Sequence, residues 1–237
     1  MKRSARLILW DIDGTLVDSA RLGREAFADA FVSVFGLSPA GLVSLNGRTD
    51  HEIALDLLRE NEIENPQRHL EEFSSALAQS LAGKAELIRA RGHAHRGAHV
   101  ALERLAGEPE IVQSVLTGNI EPNAVLKLEI FSLADHLDLE VGAYGSDHAM
   151  RAELVGIARR KAQAKYGERF PPAKTVVIGD TPLDVAAGRS AGARVVGIAS
   201  GPFSERELSD AGADAVLPDL TDVGALLSAV TAQNGRR

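Results

Sequence analysis

Asp11 and Asp13 stand two residues apart at the end of the apolar run "LILW", and Gly14 and Thr15 follow at once. Like charges that close oppose each other's ionisation, so a strand that ends in two carboxylates needs a chemical reason. Further along, "VLTGN" brings Thr117, Gly118 and Asn119 after a second apolar run, and "VVIGDTPLD" brings Asp180 and Asp184 after a third. Paired carboxylates can divide nucleophilic and acid–base work. Several gathered at one mouth repel unless a cation sits among them. With only oxygen ligands on offer, a hard ion such as Mg²⁺ is the natural choice, keeping waters and sharing a substrate phosphate.

Gathering these residues requires strands. Short apolar runs recur as "RLILW", "IVQSVL", "TVVIGD", "RVVGIAS" and the weaker "DAVL", with a less clear one in "LDLEVGAYG". Near-continuous Val, Ile and Leu runs of this length suit strands buried on both faces. Helical patterns lie between them: "PNAVLKLEIFSL", "RAELVGIARRKAQAKYG" and "PLDVAAGRSAG", the last two closed by Gly167 and Gly192. The alternation predicts an α/β fold with a doubly wound parallel sheet, whose ligands sit beyond the carboxyl ends of the strands. From Ala20 to Arg91 only helical periodicity is found, including "SPAGLVSL", with Ser38 as N-cap and Pro39 as first helical residue, and a helix from Asp50. An all-helical domain over residues 20–91 is therefore expected inside a core of residues 1–19 and 92–237. "RGHAHRGAHV" is its return linker, and the closing "AQNGRR" is expected to fray.

Composition excludes other classes. The formal net charge of −7, with no basic segment, argues against nucleic acid or an anionic membrane surface as partner. No apolar stretch approaches the roughly 18 residues of a membrane span, and the start of the chain lacks a signal-peptide core. The absence of cysteine rules out disulfides and thiolate metal sites and suits a cytoplasmic setting.

"DIDGTLVDS", "LTGN" and "IGDTPLD", in this order, resemble the haloacid dehalogenase superfamily of phosphohydrolases, in the branch of phosphoglycolate phosphatase and β-phosphoglucomutase, where a helical cap is inserted after the first strand. The resemblance runs from Leu7 to about Leu217. It implies that Asp11 is the nucleophile that forms an aspartyl-phosphate, and that Asp13 is the general acid and then base. It further implies Mg²⁺ on the Asp11 carboxylate, the Asp13 backbone carbonyl and Asp180, with Asp184 orienting bound water. Thr117, with Gly118 and Asn119, binds the phosphoryl group. The substrate implied is a small phosphorylated metabolite; oligomeric state stays open. An acid at position 13 favours C–O–P cleavage over dehalogenation.

The pattern departs from the family in its third motif, where a Lys-Pro is usual and "YGSDHAMRAELVGIARRK" has none. Arg151 is assigned the cationic role, with Lys127 and Lys161 in reserve, although Lys127 on an amphipathic helix reads better as a surface residue. In the cap, "NGRTD" offers Arg48 as a contact to a second anionic group. Asp184 also fits a capping box with Thr181, Asp18 and Ser19 fit a plain helix start, and Trp10 fits core packing. His93, His95 and His99 have a spacing reminiscent of metal ligands, but their place in the return linker favours a surface or hinge role. The leading function is a Mg²⁺-dependent phosphatase. The alternatives are a phosphomutase sharing the aspartyl-phosphate and a non-catalytic phospho-receiver module.

Overall fold

The computed structural model of the chain describes residues 5–41 and 43–232. Its sheet is built from β1 (Arg6–Trp10), which runs straight into Asp11. The chain then makes the short strand β2 (Val17–Asp18) and enters helices α1 (Leu22–Phe35), α2 (Asp50–Glu60), α3 (Leu70–Ala82) and α4 (Ala85–Arg91). It returns through β3 (His93–Ala94) and α5 (Ala98–Ala106), and continues with β4 (Ile111–Val115), α6 (Glu121–Ile130), α7 (Arg151–Tyr166), β5 (Thr175–Gly179) and α8 (Pro182–Ser190). It ends with β6 (Arg194–Ile198), α9 (Glu205–Asp210), β7 (Ala215–Leu217) and α10 (Val223–Thr231).

The five-stranded sheet is parallel, in the order β4-β1-β5-β6-β7. Successive β1 side chains point to opposite faces, and both faces are covered. Ile8 and Trp10 pack with α5 and α10, while Leu7 and Leu9 pack with α7 and α8. That is why the run is apolar without alternation. The indole N–H of Trp10 donates to Gln113 Oε1 at 3.0 Å, so the buried ring keeps its polar atom satisfied.

Register brings the chemistry together. Trp10 pairs with Val115 on one side and Ile178 on the other, so the three central strands end level. Asp11 N–H donates to Ile178 C=O, and Leu116 N–H to Trp10 C=O, both at 2.8 Å. Chain order reverses at β1, which places Asp11, Thr117 and Asp180 at the switch point of the sheet.

Helices α1 to α3, with Ile88 of α4, share an apolar cluster around Phe27, Phe31, Leu57 and Phe73 that also takes in Ile120. The chain leaves for this layer and returns from it through one ribbon, in which Val17 pairs with Ala94 and Asp18 with His93.

Three expectations are corrected. "SPAGLVSL" contains no helix among the described residues: Ala40 N–H is taken by Asn61 Oδ1 at 2.7 Å instead of by its own segment. "LDLEVGAYG" is not a strand. Asp138 captures Glu140 N–H to start a short 3₁₀ turn, and only a single bridge joins Ala143 to Leu116. The return segment is more than a linker, since it holds β3 and starts α5. Of "AQNGRR", all beyond Ala232 lies outside the described residues. Among the described residues no helix is long and apolar enough to cross a membrane.

Candidate active site

Carboxylate oxygens of Asp11, Asp180 and Asp184 lie within 4.8 Å of one another, and all three residues are buried. Asp11 follows β1, Asp180 follows β5, and Asp184 sits in the first turn of α8. Thr181 caps that helix by accepting from Asp184 N–H, while Asp184 Oδ2 accepts from the Thr181 N–H and hydroxyl. The capping box and the site thus use the same residue.

One cation enters the cluster. Arg151, the first residue of α7, sets Nη2 2.7 Å from Asp11 Oδ1 and against Asp184 Oδ1. Burial nevertheless drives the Asp11 carboxyl up to about 7, opposed by Arg151 and reinforced by Asp184 and Asp13. Asp180 is pushed well above the usual carboxylate range by burial and by Asp11 and Asp184, while the Thr15 hydroxyl (3.2 Å) and Arg151 favour its charge. This much unneutralised acidity fits a hard divalent ion held by Asp11 and Asp180. Gly14 (φ +82) and Gly201 edge the same space, and a Cβ on either would overlap Asp180.

Asp13 turns its side chain away from this cluster. Lys127 Nζ donates to both its oxygens, at 2.8 and 2.6 Å, Asn119 Nδ2 donates at 2.7 Å, and the Ser19 hydroxyl at 3.2 Å. These bonds outweigh burial and hold the Asp13 carboxyl below the usual range. The Asp13 side chain is therefore not with the other acids, while its carbonyl oxygen accepts no backbone hydrogen bond among the described residues. Lys127 corrects the surface expectation. It is only 3% exposed, because Asp13 and Asn119 Oδ1 (2.7 Å) compensate the desolvation of its ammonium group. Lys161, the other reserve, bonds Asp147 and Gly142 C=O and is not among the residues that line the cavity.

Thr117 is fully buried, and its hydroxyl oxygen accepts from Asn119 Nδ2 at 2.8 Å. Gly118 has no room for a side chain: a Cβ there would strike Arg48 C=O. Around it the helical layer is bonded to the sheet. Asp50 N–H donates to Gly118 C=O at 2.7 Å, Ile120 N–H to Asp50 Oδ2 at 2.8 Å, and the Thr49 hydroxyl to Ala149 C=O at 2.6 Å. Arg48 lines the cavity, but its guanidinium is committed to Glu52 and Asp56 of α2, which departs from a role as an anion contact. Asp50 went unrecognised in the sequence because an acid in the first turn of a helix is ordinary. It is buried, and burial raises its carboxyl to about 7. Ser19, read as part of a helix start, was missed in the same way.

The chain matches the sequence pattern of the haloacid dehalogenase-like hydrolases over residues 8–189. It belongs to that family. Solved structures align along most of its length. A hydrolase from Pseudomonas syringae shares 23% identity with a TM-score of 0.70, covering 96% of this chain and 100% of its own. A predicted phosphatase from Clostridium acetobutylicum shares 20% at 0.69, covering 95% and 100%. A putative β-phosphoglucomutase from Bacteroides vulgatus shares 20% at 0.67, covering 97% and 91%. No curated protein gives a significant match. In this haloacid dehalogenase-like hydrolase, two cations stand among the acids: Arg151 on Asp11 and Lys127 on Asp13. The histidines make no metal cluster among the described residues; His99 bonds Phe131 C=O and His93 packs on His95.

Proposed function

We propose that the chain hydrolyses a phosphomonoester of a small metabolite through an aspartyl-phosphate on Asp11. The observation that carries this reading is Arg151. Its Nη2 fixes one oxygen of Asp11, and the residue lines the cavity shared by Asp13, Thr117 and Asp180. A cation that lines the cavity beside a carboxylate suits a phosphoryl oxygen arriving there.

Asp11 attacks phosphorus through its other oxygen, and the bond from phosphorus to the leaving oxygen breaks. Asp13 delivers a proton to that oxygen. Water then attacks the aspartyl-phosphate, Asp13 takes its proton, and phosphate leaves with Asp11 restored. Thr117, whose oxygen already accepts from Asn119, directs its own hydroxyl proton to the phosphoryl group. Lys127 favours the charged form of Asp13 and so favours the second half-reaction.

Mg²⁺ would be held by the Asp11 and Asp180 carboxylates and the Asp13 carbonyl, with Asp184 behind them. It would supply neutralisation of the charge gathered on the phosphoryl oxygens. Residues 20–91 act as a cap that excludes bulk water, and residues 1–19 and 92–237 as the core. The cysteine-free, acidic chain suits a cytoplasmic setting and a metabolite rather than a nucleic-acid substrate.

Phosphate release from phenyl phosphate, with and without a chelator, tests the reading. Release that survives both chelation and Asp11→Asn ends it. A phosphomutase would use the same aspartyl-phosphate but rearrange a sugar phosphate while freeing little phosphate.

A further inference from the structure

Asn119 carries the side chain that ties the acid–base residue to its neighbours. Its Nδ2 donates to Asp13 Oδ2 at 2.7 Å and to the Thr117 hydroxyl oxygen at 2.8 Å, while its Oδ1 accepts from Lys127 Nζ at 2.7 Å. A short side chain with three such bonds is only as well aimed as its Cα–Cβ bond. That direction is set by the two peptide planes that meet at the residue's Cα.

Each of those planes is held at both ends, and Asp50 supplies one end of each. In the plane before Asn119, Gly118 C=O accepts from Asp50 N–H at 2.7 Å, and Asn119 N–H donates to Thr117 Oγ1 at 3.2 Å. In the plane after it, Ile120 N–H donates to Asp50 Oδ2 at 2.8 Å, and Asn119 C=O accepts from Gly145 N–H at 2.8 Å. Thr117 and Gly145 thus contribute one bond to each plane, and Asp50, reaching in from the helical layer, contributes the other.

The ordinary role of an acid in a first helical turn does not account for this. Thr49 already caps α2 by accepting from Glu52 N–H, and the Asp50 carboxylate bonds an amide 70 residues away. Asp50 is also buried, which opposes folding unless its bonds achieve something.

Resting on the phosphatase reading, we propose that Asp50 is a positioning residue for the acid–base step: by holding both peptide planes of Asn119, it aims the carboxamide that orients Asp13.

Two esters of similar shape test this: phenyl phosphate, whose leaving group needs a proton, and 4-nitrophenyl phosphate, whose leaving group is a stable anion. In Asp50→Ala, kcat/KM should fall about tenfold or more on the first and about threefold or less on the second. A merely structural aspartate would lower both alike, through the folded fraction. Asp50→Asn keeps an acceptor for Ile120 N–H and should restore both. Asn119→Ala should show the same bias, and adding Asp50→Ala to it should leave the ratio between the esters unchanged. Equal losses on the two esters, or a bias that adds to that of Asn119→Ala, overturns the proposal. Asp50→Ser, whose hydroxyl stops short of the carboxylate position, makes the same comparison if the alanine variant does not fold.

Nitrogen-15 spectra read the positioning without turnover. Solvent exchange of the Asn119 Nδ2 protons, which are bonded to Asp13 and Thr117, should quicken about tenfold in Asp50→Ala and stay slow in Asp50→Asn. If neither ester releases phosphate yet exchange responds in this way, the phosphatase reading fails and the positioning role stands; if exchange is unchanged in Asp50→Ala, the positioning role fails.

Discussion

Arg151 Nη2 lies 2.7 Å from Asp11 Oδ1 and bonds Asp184 Oδ1 as well, so one guanidinium holds a carboxylate after β1 to another in α8. Both acids and the cation are buried, and the pairing lets the two acids share a dry site. Arg151 is itself shifted toward its charged form by Asp11 and Asp184 against the effect of burial.

Replacing Arg151 by Met leaves two buried carboxylates without their partner, a loss of about 3–5 kcal/mol in stability and more than about 10²-fold in kcat/KM. Arg151→Lys should recover the charge but not the bridge, and so restore part of the stability only. Denaturant unfolding of Arg151→Met and of Arg151→Met with Asp184→Asn gives the check. The double variant should be the more stable of the two, and equal stabilities would contradict the pairing.

Lys127→Met should lower turnover by about 10²–10⁴-fold, the range associated with acid–base groups. Lys127 contributes most of what pulls the Asp13 carboxyl below its usual range. Without it burial is less opposed, the carboxyl rises, and the acid limb of the pH–rate profile moves to higher pH. A profile that keeps its position would show that Lys127 does not control Asp13.

Asp50 has the opposite sign. Its carboxyl stands near 7 in the folded chain against about 3.9 unfolded, so the folded state binds this proton more tightly. Its contribution favours folding below about pH 4 and is lost progressively up to about pH 7. Asp50→Asn keeps an acceptor for Ile120 N–H and removes the pH dependence. Thermal unfolding should show the variant gaining on the wild type between pH 4 and 7, by a few kcal/mol at most, on the order of several degrees. A constant difference across that range would place the charge of Asp50 in solvent.

Gly118→Ala forces a Cβ into Arg48 C=O, which cannot yield without moving the loop before α2. The loop should lift from the sheet, raising KM and exposing residues 44–48 to limited proteolysis. Unaltered cleavage would mean the loop does not rest on Gly118 in solution.

Much of this arrangement was legible from local chemistry. Asp11 and Asp13 abut an apolar run, and Asp180 and Thr117 close two others, so parallel pairing alone brings three of them to one edge. Residues whose role depends on a partner far along the chain were harder to read. Lys127 looks like any amphipathic-helix lysine until Asp13, 114 residues away, is placed beside it. Its sequence signal is faint: Asn123 and Lys127 interrupt the apolar face formed by Ala124 and Leu128. Asp50 and Ser19 sit where helix starts normally put acids and hydroxyls. Arg48 was legible as a cap cation, but Glu52 and Asp56, four and eight residues on, take its charge. In "SPAGLVSL" the Ala40 N–H, which a Ser38 cap would have taken, is held instead by Asn61 Oδ1 from 21 residues on.

The central claim is covalent attachment of phosphate to Asp11. Acid quenching during turnover of phenyl phosphate, followed by peptide mass analysis, measures it directly. A mass gain of one phosphoryl group on the peptide containing Asp11, absent in Asp11→Asn, is the predicted result. Steady turnover with rapid quenching and no phosphorylated peptide, or a phosphoryl group on any other residue, would contradict the account.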